Sequence, residues 1–94
     1  MKDLTAFPLK EIEDTFNKEM WREKTGIRMK YKGIDTNRAV FEIYPLSSLG
    51  IVISDFQITE VMEYAIKELF KSYNLDIDLW NYATDKIILY IYKR

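Results

Sequence analysis

Alternating cations are the first pattern in this chain that could do chemistry: Arg28, Lys30 and Lys32, joined by Arg38 after a short polar stretch. Lys18, Arg22 and Lys24 lie just upstream, so seven cations face three anions (Glu19, Glu23, Asp35) between Lys18 and Arg38. A stripe of this kind can neutralise phosphates, with Trp21 or Tyr44 stacking on bases, or it can hold an acidic protein partner. Its ordinary counterpart is a solvated strand face, because alternating Lys and Arg keep exposed strands soluble and discourage edge pairing. Glu42, expected on the same face, is expected to pair with Arg28 or Lys30.

The acids gather further along. From Asp55 to Asp85, seven carboxylates stand against Lys67 and Lys71. That half could mimic nucleic acid or meet a basic partner, and opposite signs in the two halves also permit self-association. Asp76 and Asp78, two apart on a strand, share a face and with Asp85 could hold a hard cation. No EF-hand glycine or glutamate follows, so no metal site is expected. With no Cys and no His, cysteine nucleophiles, Cys/His metal sites and histidine acid–base catalysis are excluded. Gly26, Gly33 and Gly50 stand singly, so nothing forms a phosphate-cradling loop. Ser47 and Ser48 lack a nucleophile-elbow context. Neither an enzyme nor a bound cofactor is expected.

Aromatic residues make up 15% of the chain, more than a small core needs. On a helical wheel Trp21 falls about 120° from Leu9, off the apolar stripe and towards solvent. Tyr44, Tyr64, Trp80, Tyr82 and the row Ile88, Tyr90, Tyr92 can also lie outside the core, unless two helices cover opposite faces of the sheet and absorb them. Tyr, Trp and Arg dominate binding hot spots. Trp21, Ile88, Tyr90 and Tyr92 are therefore the candidate protein interface, and a homodimer joined through the sheet or the C-terminal strand is expected. Arg28, Lys30, Lys32 and Arg38 are the candidate contacts for nucleic acid or an acidic partner.

Hydrophobic periodicity supplies the elements that position these residues. Leu9, Ile12, Phe16 and Met20 mark a first amphipathic helix, with Pro8 in its first turn and Gly26 after its end. Its narrow stripe places it on the outside of the domain. Ile27, Met29 and Tyr31, then Ala39, Phe41 and Ile43, make a hairpin around Gly33–Asn37. A three- or five-residue loop keeps the apolar residues face to face, whereas a four-residue loop mixes the faces. Pro45 ends the second strand, and Ile51–Ile53 can add a short third. Ser54 or Asp55 can cap a second helix, whose broad apolar face (Ile58, Val61, Met62, Ala65, Ile66, Leu69, Phe70, Tyr73) makes it the main one on the sheet. Leu75, Ile77 and Leu79 form a half-buried strand, Trp80–Asp85 turns the chain, and Ile87–Tyr92, apolar on both faces, should be central or covered on both sides. The expected fold is one α+β domain over residues 1–94, in the order α-β-β-(β)-α-β-β with an antiparallel sheet. A ferredoxin-like βαββαβ order, using residues 2–6 as a first strand, is the alternative.

The whole chain of 94 residues is 48% hydrophobic and 31% charged, with net charge -1, which fits a folded domain with no global pull towards nucleic acid. No apolar run is long enough to span a membrane, and no secretion signal opens the chain, so a cytoplasmic location is expected. An excess of Ile, Lys, Asn, Phe and Tyr over Gly, Ala, Arg and Pro points to an AT-rich genome. A phage or archaeal virus fits, and its protein would then act in the host cytoplasm on a host factor. The expected function is a small non-enzymatic protein-binding module; the alternative is a nucleic-acid-binding protein using the basic hairpin.

Overall fold

The computed structural model describes residues 8–23, 25–45, 58–83 and 85–93. Its elements run α1 (Leu9–Arg22), β1 (Ile27–Asp35), β2 (Arg38–Pro45), α2 (Glu60–Lys71), β3 (Leu75–Tyr82) and β4 (Ile87–Lys93). They make an antiparallel sheet in the order β1-β2-β4-β3, so the expected α+β fold and the central last strand are both observed. Because β2 and β3 each run antiparallel to β4, α2 joins two parallel strands with β4 between them. The optional strand at Ile51–Ile53, the caps Ser54 and Asp55, and the alternative strand at residues 2–6 lie outside the described residues.

One apolar cluster joins the helices to one side of the sheet. It contains Leu9, Ile12, Phe16 and Met20 of α1, Ile66 and Phe70 of α2, and the inward rows Ala39/Phe41/Ile43 and Ile87/Leu89/Ile91. Phe41 ties the layers, its ring centroid 5.1 Å from Phe70 and 5.2 Å from Tyr31. Both helices thus cover the same face, not opposite ones.

The helices also exchange their expected ranks. All four residues of the narrow α1 stripe are buried, whereas α2 fully buries only Ile66 and Phe70. Val61 is 80% exposed and Ala65 is exposed too. Polar residues give α1 its depth. β1 is an edge strand, and its outward amides would otherwise be unpaired. Asn17 donates from Nδ2 to the Met29 carbonyl at 2.9 Å and accepts from the Met29 amide at 2.7 Å. Its carboxamide replaces the peptide unit of a missing neighbouring strand. Glu13, buried between helix and sheet, accepts from the Tyr31 amide at 2.6 Å and from the Lys10 ammonium. Burial pushes the Glu13 carboxyl up, but the Lys10 and Tyr31 hydrogen bonds and the Lys10 and Lys30 charges outweigh it, holding the group below its ordinary value. Burial alone raises the Tyr31 phenol.

Helix ends differ slightly from expectation. Pro8 is the N-cap of α1, and the helix stops at Glu23, before Gly26, which takes φ +74° at the entry to β1. Thr59 caps α2 by accepting from the Met62 amide at 3.2 Å. Asn74 leaves that helix with φ +61°, a conformation Asn tolerates.

Two bulges set the strand faces. Met29 pairs with Ile43 and Tyr31 with Phe41, so the apolar rows meet as expected. The tip, however, is a two-residue turn at Thr36-Asn37, whose parity alone would mix the faces. An extra residue, Lys32, corrects it before Gly33 pairs with Val40. On β3, Asp78 is the extra residue, between the Ile77–Ile91 and Leu79–Tyr90 pairs. It turns Leu79 to the far face and Trp80 towards the core, so the strand continues to Tyr82 through residues whose pattern suggests a turn.

Candidate functional site

The sheet face opposite the helices collects most of the candidate residues. Alternation from the buried rows places Arg28 and Lys30 of β1, Arg38, Val40, Glu42 and Tyr44 of β2, Ile88, Tyr90 and Tyr92 of β4, and Asp76, Leu79 and Asn81 of β3 on it. None of these belongs to the apolar cluster beneath the helices.

Cross-strand pairing resolves the face into rungs. The middle rung runs from Gly33 through Val40 and Tyr90 to Leu79, and both bulges sit beside it, Lys32 at one edge and Asp78 at the other. The next rung carries Lys30, Glu42, Ile88 and Asn81. Val40, Ile88 and Tyr90 are half-buried, while Leu79 at 43% and Tyr92 at 40% are exposed. A β-carbon at Gly33 would meet nothing within 4 Å, so that end of the rung is open as well. The face thus has an apolar, tyrosine-bearing centre inside a charged rim.

The rim pairs differently from expectation. Glu42 accepts from Lys86 at 3.2 Å, not from Arg28 or Lys30, although Lys30 lies directly across from it. Arg38 crosses the face to Asp78, with Nη1 2.9 Å from Oδ2 and its guanidinium 4.6 Å from the Tyr90 ring centroid. The basic quartet is therefore divided. Arg38 is tied to the acidic edge, and Arg28 turns to α1, its guanidinium 5.3 Å from the Trp21 centroid. Lys30 and Lys32 are exposed and pair with no acid among the described residues.

Trp21 is 73% exposed, as its place on the helical wheel requires. It stands with Arg28 at the β1 edge and is not brought together with Ile88, Tyr90 and Tyr92 on β4. Trp80 packs against the core with its indole N–H buried and without a hydrogen-bond partner among the described residues. Asp76, Asp78 and Asp85 belong to no group of three potential metal ligands among the described residues. A groove of about 400 Å³ between the helices is lined by Phe16, Met20, Met62, Ala65, Ile66 and Leu69, with Thr15, Glu19 and Glu68 as its polar residues.

Val40 and Leu79 are absent from the sequence-derived site. Val40 is legible, since it alternates with the buried Ala39 and Phe41. Leu79 is not, because only the bulge at Asp78 carries it to this face. Among the described residues, no helix is long and apolar enough to cross a membrane. No protein-family model, curated protein or solved structure matches the chain.

Proposed function

We propose that the chain is a non-enzymatic protein-binding module whose contact surface is the sheet face centred on Val40, Ile88, Tyr90 and Leu79. One observation carries this reading: both helices lie on the other side of the sheet, while this side holds a contiguous apolar rung with a paired charged rim. Exposed apolar patches on small proteins mark interaction sites. The rim pairs Arg38–Asp78 and Lys86–Glu42 hold their side chains in place before a partner arrives, which lowers the ordering cost of binding.

Site-specific photo-crosslinking in the producing cell tests it. A photoreactive phenylalanine analogue replacing Tyr92 should give discrete protein adducts. The same analogue replacing Tyr64, 65% exposed on α2, should give none. Equal adducts at both positions, or none at Tyr92, would refute the reading.

A second reading, nucleic-acid contact, is favoured by the exposed Trp21 ring beside Arg28, with Lys30 two residues on. It requires tryptophan fluorescence to be quenched by a single-stranded oligonucleotide at ~50 mM salt and restored at ~300 mM, as counterion release demands. Quenching that persists in Trp21→Phe would remove this ring from the site.

A further inference from the structure

We infer that the partner of the open face is an acidic amphipathic helix, lying along the strands with its apolar stripe on Val40, Ile88 and Tyr90 and its acidic flank over Lys30 and Lys32. The inference rests on the reading of that face as a contact surface, and it adds the chemistry of the partner and the way it lies.

The cations left over along β1 carry the argument. The acids of the face are already engaged: Glu42 holds Lys86, Asp78 holds Arg38, and Asp76 has an interaction partner of its own. Asp35, at the β1–β2 turn, accepts from the Thr36 hydroxyl at 3.5 Å. On β1 itself, Arg28 lies against the Trp21 ring, while Lys30 and Lys32 are exposed and in no ion pair among the described residues. An edge strand ordinarily carries such cations to guard its open hydrogen-bonding groups. That duty is already met here, because Asn17 occupies both backbone groups of Met29 and Glu13 the amide of Tyr31. The same seal closes this stretch of β1 to an added strand, so an acidic partner reaches Lys30 and Lys32 over the face and not along the edge.

The layout of the sheet selects a helix. β2 and β4 are neighbours at its centre, and two strands about 4.8 Å apart are covered by one helix of about 10 Å diameter. Strands about 25 Å long match a helix of about 16 residues. Laid along β2 and β4, that helix buries Val40, Ile88 and Tyr90 and holds its flanks over β1 and β3. Over β1, Gly33 leaves the end of the middle rung bare beside Lys32, which gives carboxylate side chains room. Over β3, the exposed Leu79 suits an apolar flank. β4, apolar on both faces, then has a helical layer on each side, as such strands require. A nucleic acid would also answer Lys30 and Lys32. The centre, however, offers bases the aliphatic Val40, Ile88 and Leu79, and Arg38 covers the Tyr90 ring at 4.6 Å.

The test is amide chemical-shift mapping on the full chain, with probes at millimolar concentration so that weak binding registers. The first probe is a helix-forming peptide of about 16 residues, with leucines along one stripe and glutamates on one flank. The second is the same peptide with lysines in place of the glutamates, and the third a single-stranded oligonucleotide. The acidic peptide should shift the amides of Lys30, Lys32, Val40 and Tyr90 and leave α2 unmoved, and the lysine peptide should bind roughly tenfold more weakly. Lys30→Glu combined with Lys32→Glu, or Lys32→Glu alone if the pair fails to fold by circular dichroism, should remove that preference. Equal binding of both peptides, or an acidic peptide that leaves the face unmoved, overturns the acidic helix. So does an oligonucleotide that shifts the same amides at lower concentration. Shifts on this face that follow the concentration of the chain itself, with no probe present, overturn it in favour of a second copy. In each case the contact-surface reading still stands or falls on crosslinking at position 92.

Discussion

The two faces of this sheet are built from the same strands and do opposite work. On β2, Ala39, Phe41, Ile43 and Pro45 are buried beneath the helices, while Arg38, Val40, Glu42 and Tyr44 on the reverse are half-exposed. β4 repeats the division with Ile87, Leu89 and Ile91 against Ile88, Tyr90 and Tyr92, although neither row carries a charge. A strand apolar on both sides needs cover on both sides. The helices supply one layer, and the proposed partner supplies the other. The lesson is that burial within the monomer, not hydrophobicity, separates the residues that hold the fold from those kept for contact.

Truncations on the two faces should therefore differ most. Phe41→Ala removes the ring that joins Tyr31 and Phe70 and should cost about 3–5 kcal/mol in urea unfolding. Tyr90→Ala, measured in dilute protein, should cost under about 1.5 kcal/mol, the worth of a partly exposed aromatic contact. Equal costs would make the open face a second core and end the distinction.

The two edges sharpen the same contrast. β1 is sealed by α1, so Asn17→Ala should cost about 1–3 kcal/mol by leaving both Met29 backbone groups unpaired. It should also speed exchange of the Met29 amide, and an unchanged exchange rate would show that the carboxamide seals nothing. Beside it, the depressed Glu13 carboxyl contributes stability that is present above the ordinary carboxylate range and is lost as pH falls through its lowered value. Glu13→Gln should flatten the acid limb of the stability curve. At the alkaline end, the raised Tyr31 phenol sets the opposite limb, with stability lost as pH rises above the ordinary tyrosine range. The smallest effect belongs to the open face: Asp78→Asn, which breaks the partly exposed pair with Arg38, should change dilute-protein stability by less than about 1 kcal/mol.

Most of this fold is legible because the apolar residues repeat with clear periods. The hairpin faces follow from alternation, the end of β2 from Pro45, and the central place of β4 from a strand that is apolar on both faces. What escapes has identifiable causes. Glu13 and Asn17 lie beside the α1 stripe and look like solvent-facing residues, yet they complete an unpaired strand edge, so a helix that reads as peripheral is the more deeply buried one. The β3 bulge at Asp78 shifts the alternation by one residue and exchanges Leu79 with Trp80, a change that no period-two pattern contains. Of the candidate site, the β4 row and the exposure of Trp21 can be read in advance. The separation of Trp21 from that row, the division of the basic quartet and the pairing of Glu42 with Lys86 depend on which side chains the folded strands bring across from one another.

Thermal unfolding of wild type and Tyr90→Lys over a hundredfold range of protein concentration tests the central claim most directly. If the open face is kept for contact, the Tyr90→Lys Tm stays level and matches that of dilute wild type. A wild-type Tm that rises with concentration would make the occupant a second copy, because association stabilises the folded state by mass action. A level wild-type Tm, with Tyr90→Lys melting well below it at every concentration, would show instead that this face is part of the monomer's own core.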